Sequence, residues 1–320
     1  MRATAIEAAR LAAAIHREAS GTLGTDRWSE KGASDFVTEV DLEAERRIVA
    51  TILARFPDHR ILAEEGTGRP TGEPRRPGEP PGPGETTTPD ASELLWVIDP
   101  LDGTTNWLHR YPEHAVSIAA LDDRGLRVGV VLNSATGEEY AATRGGGATR
   151  DGVPIRVSAV SDLRLALVGT GFPFKRAELL PEYLDALGTV LRSTSGVRRA
   201  GAAALDLCAV ACGHLDAFWE HWLMAWDVAA GALIVREAGG TFAPLPSARE
   251  ETLRAAVASA GMIDAVFRGT DRAFPGADRA FPGTDRATRP AESALRAAGG
   301  FVAGNGLVDD AFLGLLRGGG

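Results

Sequence analysis

The chain has 320 residues and a formal net charge of −9, with 43 acidic side chains against 34 Lys and Arg. That balance argues against a nucleic-acid surface, which is ordinarily basic, and no uninterrupted apolar run is long enough to span a bilayer. A composition of 44% apolar and 24% charged residues is that of a globular protein, with length for one large domain or two ordinary ones.

Residues 2–19 are alanine-rich, with Ile6, Leu11 and Ile15 among them. They predict a helix that ends near Ser20-Gly21. Glutamates among the alanines do not fit a signal peptide, so the cytoplasm is the default location. The stretch from Lys31 to Asp41 predicts a loop and then a short strand. A helix follows, with Leu42, Val49, Ile52, Leu53 and Phe56 at helical spacing and Pro57 as its stop. Asp41 alone reads as that helix's N-cap. Next, Ile61-Leu62-Ala63 predicts a strand that ends in Glu64-Glu65-Gly66. Residues 67–93 hold seven prolines and five glycines, a low-complexity insertion between two strands.

Leu94 to Ile98 predicts an apolar strand that stops on Asp99-Pro100. Proline fixes its own φ and biases the preceding residue towards extended geometry. Asp99 and Asp102 are therefore held at a strand's end rather than on a slack loop. Gly103-Thr104-Thr105 follows, offering close backbone approach, hydroxyls and N–H groups that form an anion site if a helix starts there. Carboxylates for a hard cation beside donors for a phosphate point to metal-assisted phosphate chemistry.

Strands are predicted over Ala115–Leu121 and Leu126–Leu132, joined by an Asp-Asp-Arg-Gly hairpin, and then over Glu139–Thr143 and Val153–Val157. The second half alternates more. Leu165–Gly169 reads as a strand, Leu179–Arg192 as a helix, Gly201–Cys212 as a small-residue helix and Leu215–Trp219 as a strand before Glu220. Trp226-Asp227 opens a helix through Glu237, stopped by Gly239-Gly240, with Asp227 again readable as an N-cap. Cys208 and Cys212 read as core thiols. Arg198 and Arg199 read as surface residues or as partners for a second anionic group. Residues 267–287 carry three near-copies of Phe-Pro-Gly-Thr-Asp-Arg-Ala, too few for a solenoid. A helix from Val308 to Leu316 closes the pattern.

Asp99-Pro100-Leu101-Asp102-Gly103-Thr104-Thr105-Asn106 resembles the signature of the inositol monophosphatase family. Three other blocks agree with that family in order: the one ending at Asp41, Glu64-Glu65-Gly66, and Trp226-Asp227-Val228-Ala229-Ala230-Gly231. The resemblance implies an α/β sugar-phosphatase fold of alternating helix and sheet layers, an αβαβα sandwich. Its halves would be residues 1–157, with most metal ligands, and 158–320, with Asp227 and the substrate contacts.

The resemblance also assigns roles. Glu64, Asp99, Asp102, Asp227 and the carbonyl of Leu101 would hold two or three Mg²⁺ ions. Asp41 and Thr104 would orient the attacking water, with Glu65 beside them. Gly103, Thr104 and Thr105 would hold the phosphate, and Asp227 would lie by the ester oxygen. Gly201, Ala202 and Ala203 would lie near the substrate's hydroxyls or phosphate, and Glu220 would contact the polyol ring. The implied activity is Mg²⁺-dependent hydrolysis of a small polyol phosphate, inositol 1-phosphate first. Histidinol phosphate and fructose 1,6-bisphosphate stay open, as does a non-catalytic regulator on the same fold. The implied partners are the small phosphate ester and a second copy in a homodimer, with no nucleic acid and no membrane.

Overall fold

The structure is a computed structural model that describes residues 1–20, 29–32, 35–37, 39–66, 94–174, 177–245 and 299–316. The Pro/Gly-rich stretch 67–93 and the repeat 267–287 lie outside the described residues.

Strand residues alternate between faces, so one strand can feed two cores. Strand β4 (Leu95–Asp102) does so: Trp96 and Ile98 enter one apolar cluster, Leu95 and Val97 another. It lies in a seven-stranded sheet of order β3-β4-β5-β6-β7-β8-β9. Its neighbours are β3 (Arg60–Ala63), which is parallel to it, and β5 (Ala115–Asp122), β6 (Gly125–Asn133), β7 (Glu139–Thr143), β8 (Ala148–Arg150) and β9 (Val153–Pro154), which are antiparallel in turn. The Trp96 face is covered by α1 (Arg2–Ala19) and α2 (Glu39–Leu53). The alanines at 5, 8, 9, 12 and 13 of α1 are all fully buried, and these small side chains let the helix lie close to the sheet. A short hairpin of β1 (Ser29–Gly32) and β2 (Asp35–Val37) precedes α2.

The Leu95 face packs on α5 (Ala203–Ala211) and α6 (Ala225–Glu237). Beyond them lies a five-stranded sheet of order β11-β10-β12-β14-β13. Its members are β10 (Leu167–Thr170), β11 (Gly196–Arg198), β12 (Ala217–Leu223), β13 (Thr241–Pro244) and β14 (Gly299–Gly304). In β12, Phe218 joins the central core, while Ala217 and Trp219 point outward to α4 (Leu180–Ser193) and α7 (Asp309–Leu316) through Tyr183, Val190 and Phe312. The layers run helix, sheet, helix, sheet, helix, as the resemblance implied. No helix among the described residues is long and apolar enough to cross a membrane.

Several local expectations are corrected. Strand β4 does not stop on Asp99-Pro100 but continues to Asp102, and its pairing with β5 slips between Asp99 and Asp102. Proline has no N–H for the ladder, and a bulge is where a strand accommodates it. Ser29–Gly32, Lys31 included, is strand rather than loop. Val153–Val157 shrinks to Val153–Pro154, and β10 starts at Leu167 because Leu163–Leu165 forms a 3₁₀ turn capped by Asp162. Helix α5 starts at Ala203, leaving Gly201 and Ala202 in the approach to it.

Candidate active site

The end of β4 opens on a cleft of about 400 Å³ whose lining includes Glu64, Asp99, Leu101, Asp102, Gly103, Thr104, Thr105, Gly201, Ala203, Glu220 and Asp227. Gly103 follows β4 at φ +84, the left-handed region, and caps α3 (Thr104–Leu108). A Cβ there would stand 2.8 Å from the Glu113 carbonyl and 3.3 Å from Ala202 Cβ. The turn thus needs glycine both for its φ and for the close approach of a second chain segment.

Asp99 is buried, and its Oδ1 accepts the Leu101 N–H at 3.0 Å. Burial pushes its carboxyl well above the usual carboxylate range, and the charges of Glu64, Asp102 and Asp227 push the same way. Asp102 Oδ2 accepts the Ala204 N–H at 2.8 Å, so it caps the start of α5. Asp227 Oδ2 accepts the Met224 N–H at 2.5 Å. Its N-cap reading is therefore corrected: Met224 is the N-cap and Asp227, in the first turn, reaches back to it. Asp41 is corrected likewise, because α2 starts at Glu39 and Asp41 lies buried in the first turn. The Thr104 hydroxyl lies 3.3 Å from Asp41 Oδ1 and 3.1 Å from the Leu101 carbonyl. One hydroxyl proton can serve only one of these acceptors at a time.

Asp41, Glu65 and Ala202 do not line the cleft. Asp41 reaches it through Thr104, and Ala202 packs against Gly103. The backbone N–H of Glu65 donates to Glu45 Oε2 at 2.7 Å. Glu45, fully buried on α2, thereby anchors the Glu64-Glu65 turn. Sequence reasoning missed it, although its place one helical turn after Asp41 is a usable signal. Asn106 was also passed over. Its amide donates to the Glu113 carbonyl at 2.6 Å and to the Ala200 carbonyl at 3.0 Å, tying α3 to the approach of α5.

The opposite wall comes from the second sheet. Glu220 lines it, with its carboxyl pushed well above the usual range by burial and by Asp206, Asp227 and Asp102, against Arg199. The carboxyl occupies the space that a Cβ on Gly171 would fill. Arg199 is a cleft residue, its guanidinium carbon 5.3 Å from the Phe172 ring centre and 5.1 Å from that of Phe174. Cys208 and Cys212 belong to the core side of α5, and burial raises both thiols.

Glu64, Asp99, Asp102, Asp227 and the Leu101 carbonyl offer an oxygen-only donor set within the cleft, which suits Mg²⁺ rather than a soft metal. Three acids acting against Asp99 show the charge that a cation would offset. No three His, Cys, Asp or Glu side chains among the described residues are gathered into a metal-holding group.

Fold and cleft together define a five-layer α/β protein with an acid-rich, oxygen-donor pocket at the end of a central strand. The chain belongs to the inositol monophosphatase family, whose model matches residues 1–261. A relative named Nus factor SuhB from Pseudomonas aeruginosa is 44% identical over 248 residues, 77% of this chain and 86% of its own. Nus factor SuhB from Escherichia coli is 41% identical over 236 residues, 74% of this chain and 82% of its own. Among solved structures, the extragenic suppressor protein suhB of Bartonella henselae has a TM-score of 0.73 at 30% identity, covering 99% of this chain and 98% of its own. The inositol monophosphatase of Anabaena has a TM-score of 0.68 at 30% identity, covering 99% and 95%.

Proposed function

We propose that the protein is a Mg²⁺-dependent phosphomonoesterase acting on a small polyol phosphate, with inositol 1-phosphate as first choice. One observation carries the reading: Glu64, Asp99, Asp102 and Asp227 line a single cleft with the Gly103-Thr104-Thr105 turn. Those four acids and the Leu101 carbonyl would hold two or three ions. When bound, Mg²⁺ supplies water activation and neutralises charge on the phosphate and the leaving oxygen. Thr104, tied to Asp41 and to the Leu101 carbonyl, orients the attacking water. Gly103, Thr104 and Thr105 offer backbone N–H and hydroxyl donors to the phosphate oxygens. Asp227 serves the ester oxygen, while Glu220 receives the hydroxyls of the alcohol. Gly201 and Ala203 contribute small residues and backbone where the substrate meets α5, and Ala202 supports the phosphate turn from behind by packing against Gly103. A homodimer and a cytoplasmic location complete the reading, on the family resemblance.

The relatives' name, Nus factor, favours a second reading in which the chain serves as a regulatory protein with a macromolecular partner. The complete acid set supports the enzyme reading, since a regulator has no use for four carboxylates in one cleft. Phosphate release from inositol 1-phosphate, histidinol phosphate, fructose 1,6-bisphosphate and 3′-phosphoadenosine 5′-phosphate, with and without Mg²⁺, separates the two. A Mg²⁺-dependent preference supports the enzyme. Silence from folded, Mg²⁺-supplied protein across the panel overturns the polyol-phosphate reading and leaves another ester or the regulator.

A further inference from the structure

Strand β12 carries an unusual feature beside the cleft. Its pairing with β14 joins Glu220 to Phe301 and Leu223 to Gly299, three steps along one strand against two along the other. His221 and Trp222 therefore face the single residue Gly300, whose missing side chain leaves room for Leu245 and His221: a Cβ there would stand 3.1 Å from Leu245 Cδ1 and 3.3 Å from His221 Nδ1. Such a bulge re-aims side chains, and bulges gather next to functional sites. Within it, Trp222 has φ +68. A bulky residue in the left-handed region is strained, and the surrounding structure must hold it there. Trp222 lines the cleft together with Phe172 and Phe174, on which the Arg199 guanidinium lies.

We propose that Trp222 is a specificity-determining residue, and that the bulge holds it in the left-handed conformation to give the leaving-group side of the cleft an aromatic wall. Three aromatic rings and a planar guanidinium form a surface suited to stacking. That wall extends the cleft's range beyond a bare polyol to esters whose alcohol also carries a flat aromatic ring, with the phosphate directed to Gly103-Thr104-Thr105. The proposal rests on the phosphomonoesterase reading for its catalytic test but not for its binding test.

The experiment compares wild type with Trp222→Phe and Trp222→Gly on three esters: 2-naphthyl phosphate, inositol 1-phosphate and glycerol 2-phosphate. Ratios of variant to wild type cancel the esters' different intrinsic reactivities. Glycine adopts this φ without strain, which offsets packing lost with the indole, and the melting temperature of each variant is measured alongside to confirm folding. It is expected to lose about ten-fold in kcat/KM on the naphthyl ester, the scale of one stacking contact, and to change little on glycerol 2-phosphate. Trp222→Phe retains most of the naphthyl activity. Equal change on all three esters, or none, overturns the proposal. Binding of 2-naphthol, followed by its own fluorescence without Mg²⁺ or phosphate, should weaken in Trp222→Gly even if no ester is hydrolysed. Loss of turnover on every ester by wild type would instead count against the phosphomonoesterase reading alone.

Discussion

The two walls of the cleft meet the same backbone demand in opposite ways. On the wall that ends β4, the left-handed residue is Gly103, because a Cβ would strike the Glu113 carbonyl at 2.8 Å. On the facing wall it is Trp222. Around Gly103 the structure is fixed through backbone groups: the buried Asp99 takes the Leu101 N–H and Asp102 the Ala204 N–H. Around Trp222 large side chains face solvent, and Phe174 keeps 58% of its surface exposed. The contrast separates two tasks. Placing oxygens for a phosphate requires a tightly held backbone, whereas choosing an alcohol requires side-chain surface on elements that can vary.

The sharpest way to break this comparison is to neutralise the reactive wall. Asp99→Asn keeps the shape and removes the charge at the centre of the acid group. Turnover should fall on the order of 1,000-fold, the scale of losing a key electrostatic contact in a transition state. The melting temperature in chelator should not fall, because burial and three neighbouring acids already oppose the Asp99 charge. Full activity in Asp99→Asn would remove Asp99 from the proposed site. An activity loss accompanied by unfolding would show that its role is structural.

The facing wall can be tested by displacing one group. An alanine Cβ at position 171 would occupy the space of the Glu220 carboxyl. Gly171→Ala should therefore push Glu220 out of place and lower kcat/KM for inositol 1-phosphate by roughly 10- to 100-fold, the worth of one charged hydrogen bond. The loss should be mainly in KM, since in the proposed site Glu220 would hold the alcohol rather than the reacting phosphorus. An equal effect on glycerol 2-phosphate and inositol 1-phosphate would show that Glu220 does not read the ring.

The same division decided what the sequence could reveal. The acids and the Gly103-Thr104-Thr105 turn were legible because they lie in short contiguous blocks. Helices α1 and α2 and strands β4 to β7 were legible through local periodicity. Asn106 was not, since its amide reaches the Ala200 carbonyl 94 residues away, a partner that only the folded layers bring near. Glu45 was only half legible: its place one turn after Asp41 is a local signal, but nothing local says that its carboxylate will receive the Glu65 N–H. The continuation of β4 through Pro100 depends on pairing with β5, and local preference alone ends the strand at the proline. Trp222 was not singled out, since the predicted strand ended at Trp219 and its φ is set by the slip between β12 and β14.

A smaller effect, read per unit of pH, tests whether the reactive wall depends on the helix layer behind it. His16 on α1 is fully buried, with Nδ1 2.8 Å from the Ser134 hydroxyl, and its carbonyl receives the Trp107 indole N–H at 3.1 Å. Trp107 belongs to α3, so this contact links α1 to the turn that would hold phosphate. Burial, with smaller contributions from His114 and Arg17, lowers the His16 pKa from 6.5 to about 3. Between those values the unfolded chain takes up a proton that the folded chain refuses. The stability that neutral His16 contributes is therefore complete above pH 6.5 and declines as pH falls towards 3, by at most about 1.4 kcal/mol per unit. His16→Gln can keep a hydrogen bond to Ser134 but has no proton to gain. The difference in unfolding free energy between wild type and His16→Gln should shift against wild type on acidification from pH 6.5. The acids that burial raises work in the opposite direction, yet they are common to both proteins and cancel in the difference. A difference that stays flat across this range would mean that His16 is not held neutral, and that the layer behind the reactive wall is open to water.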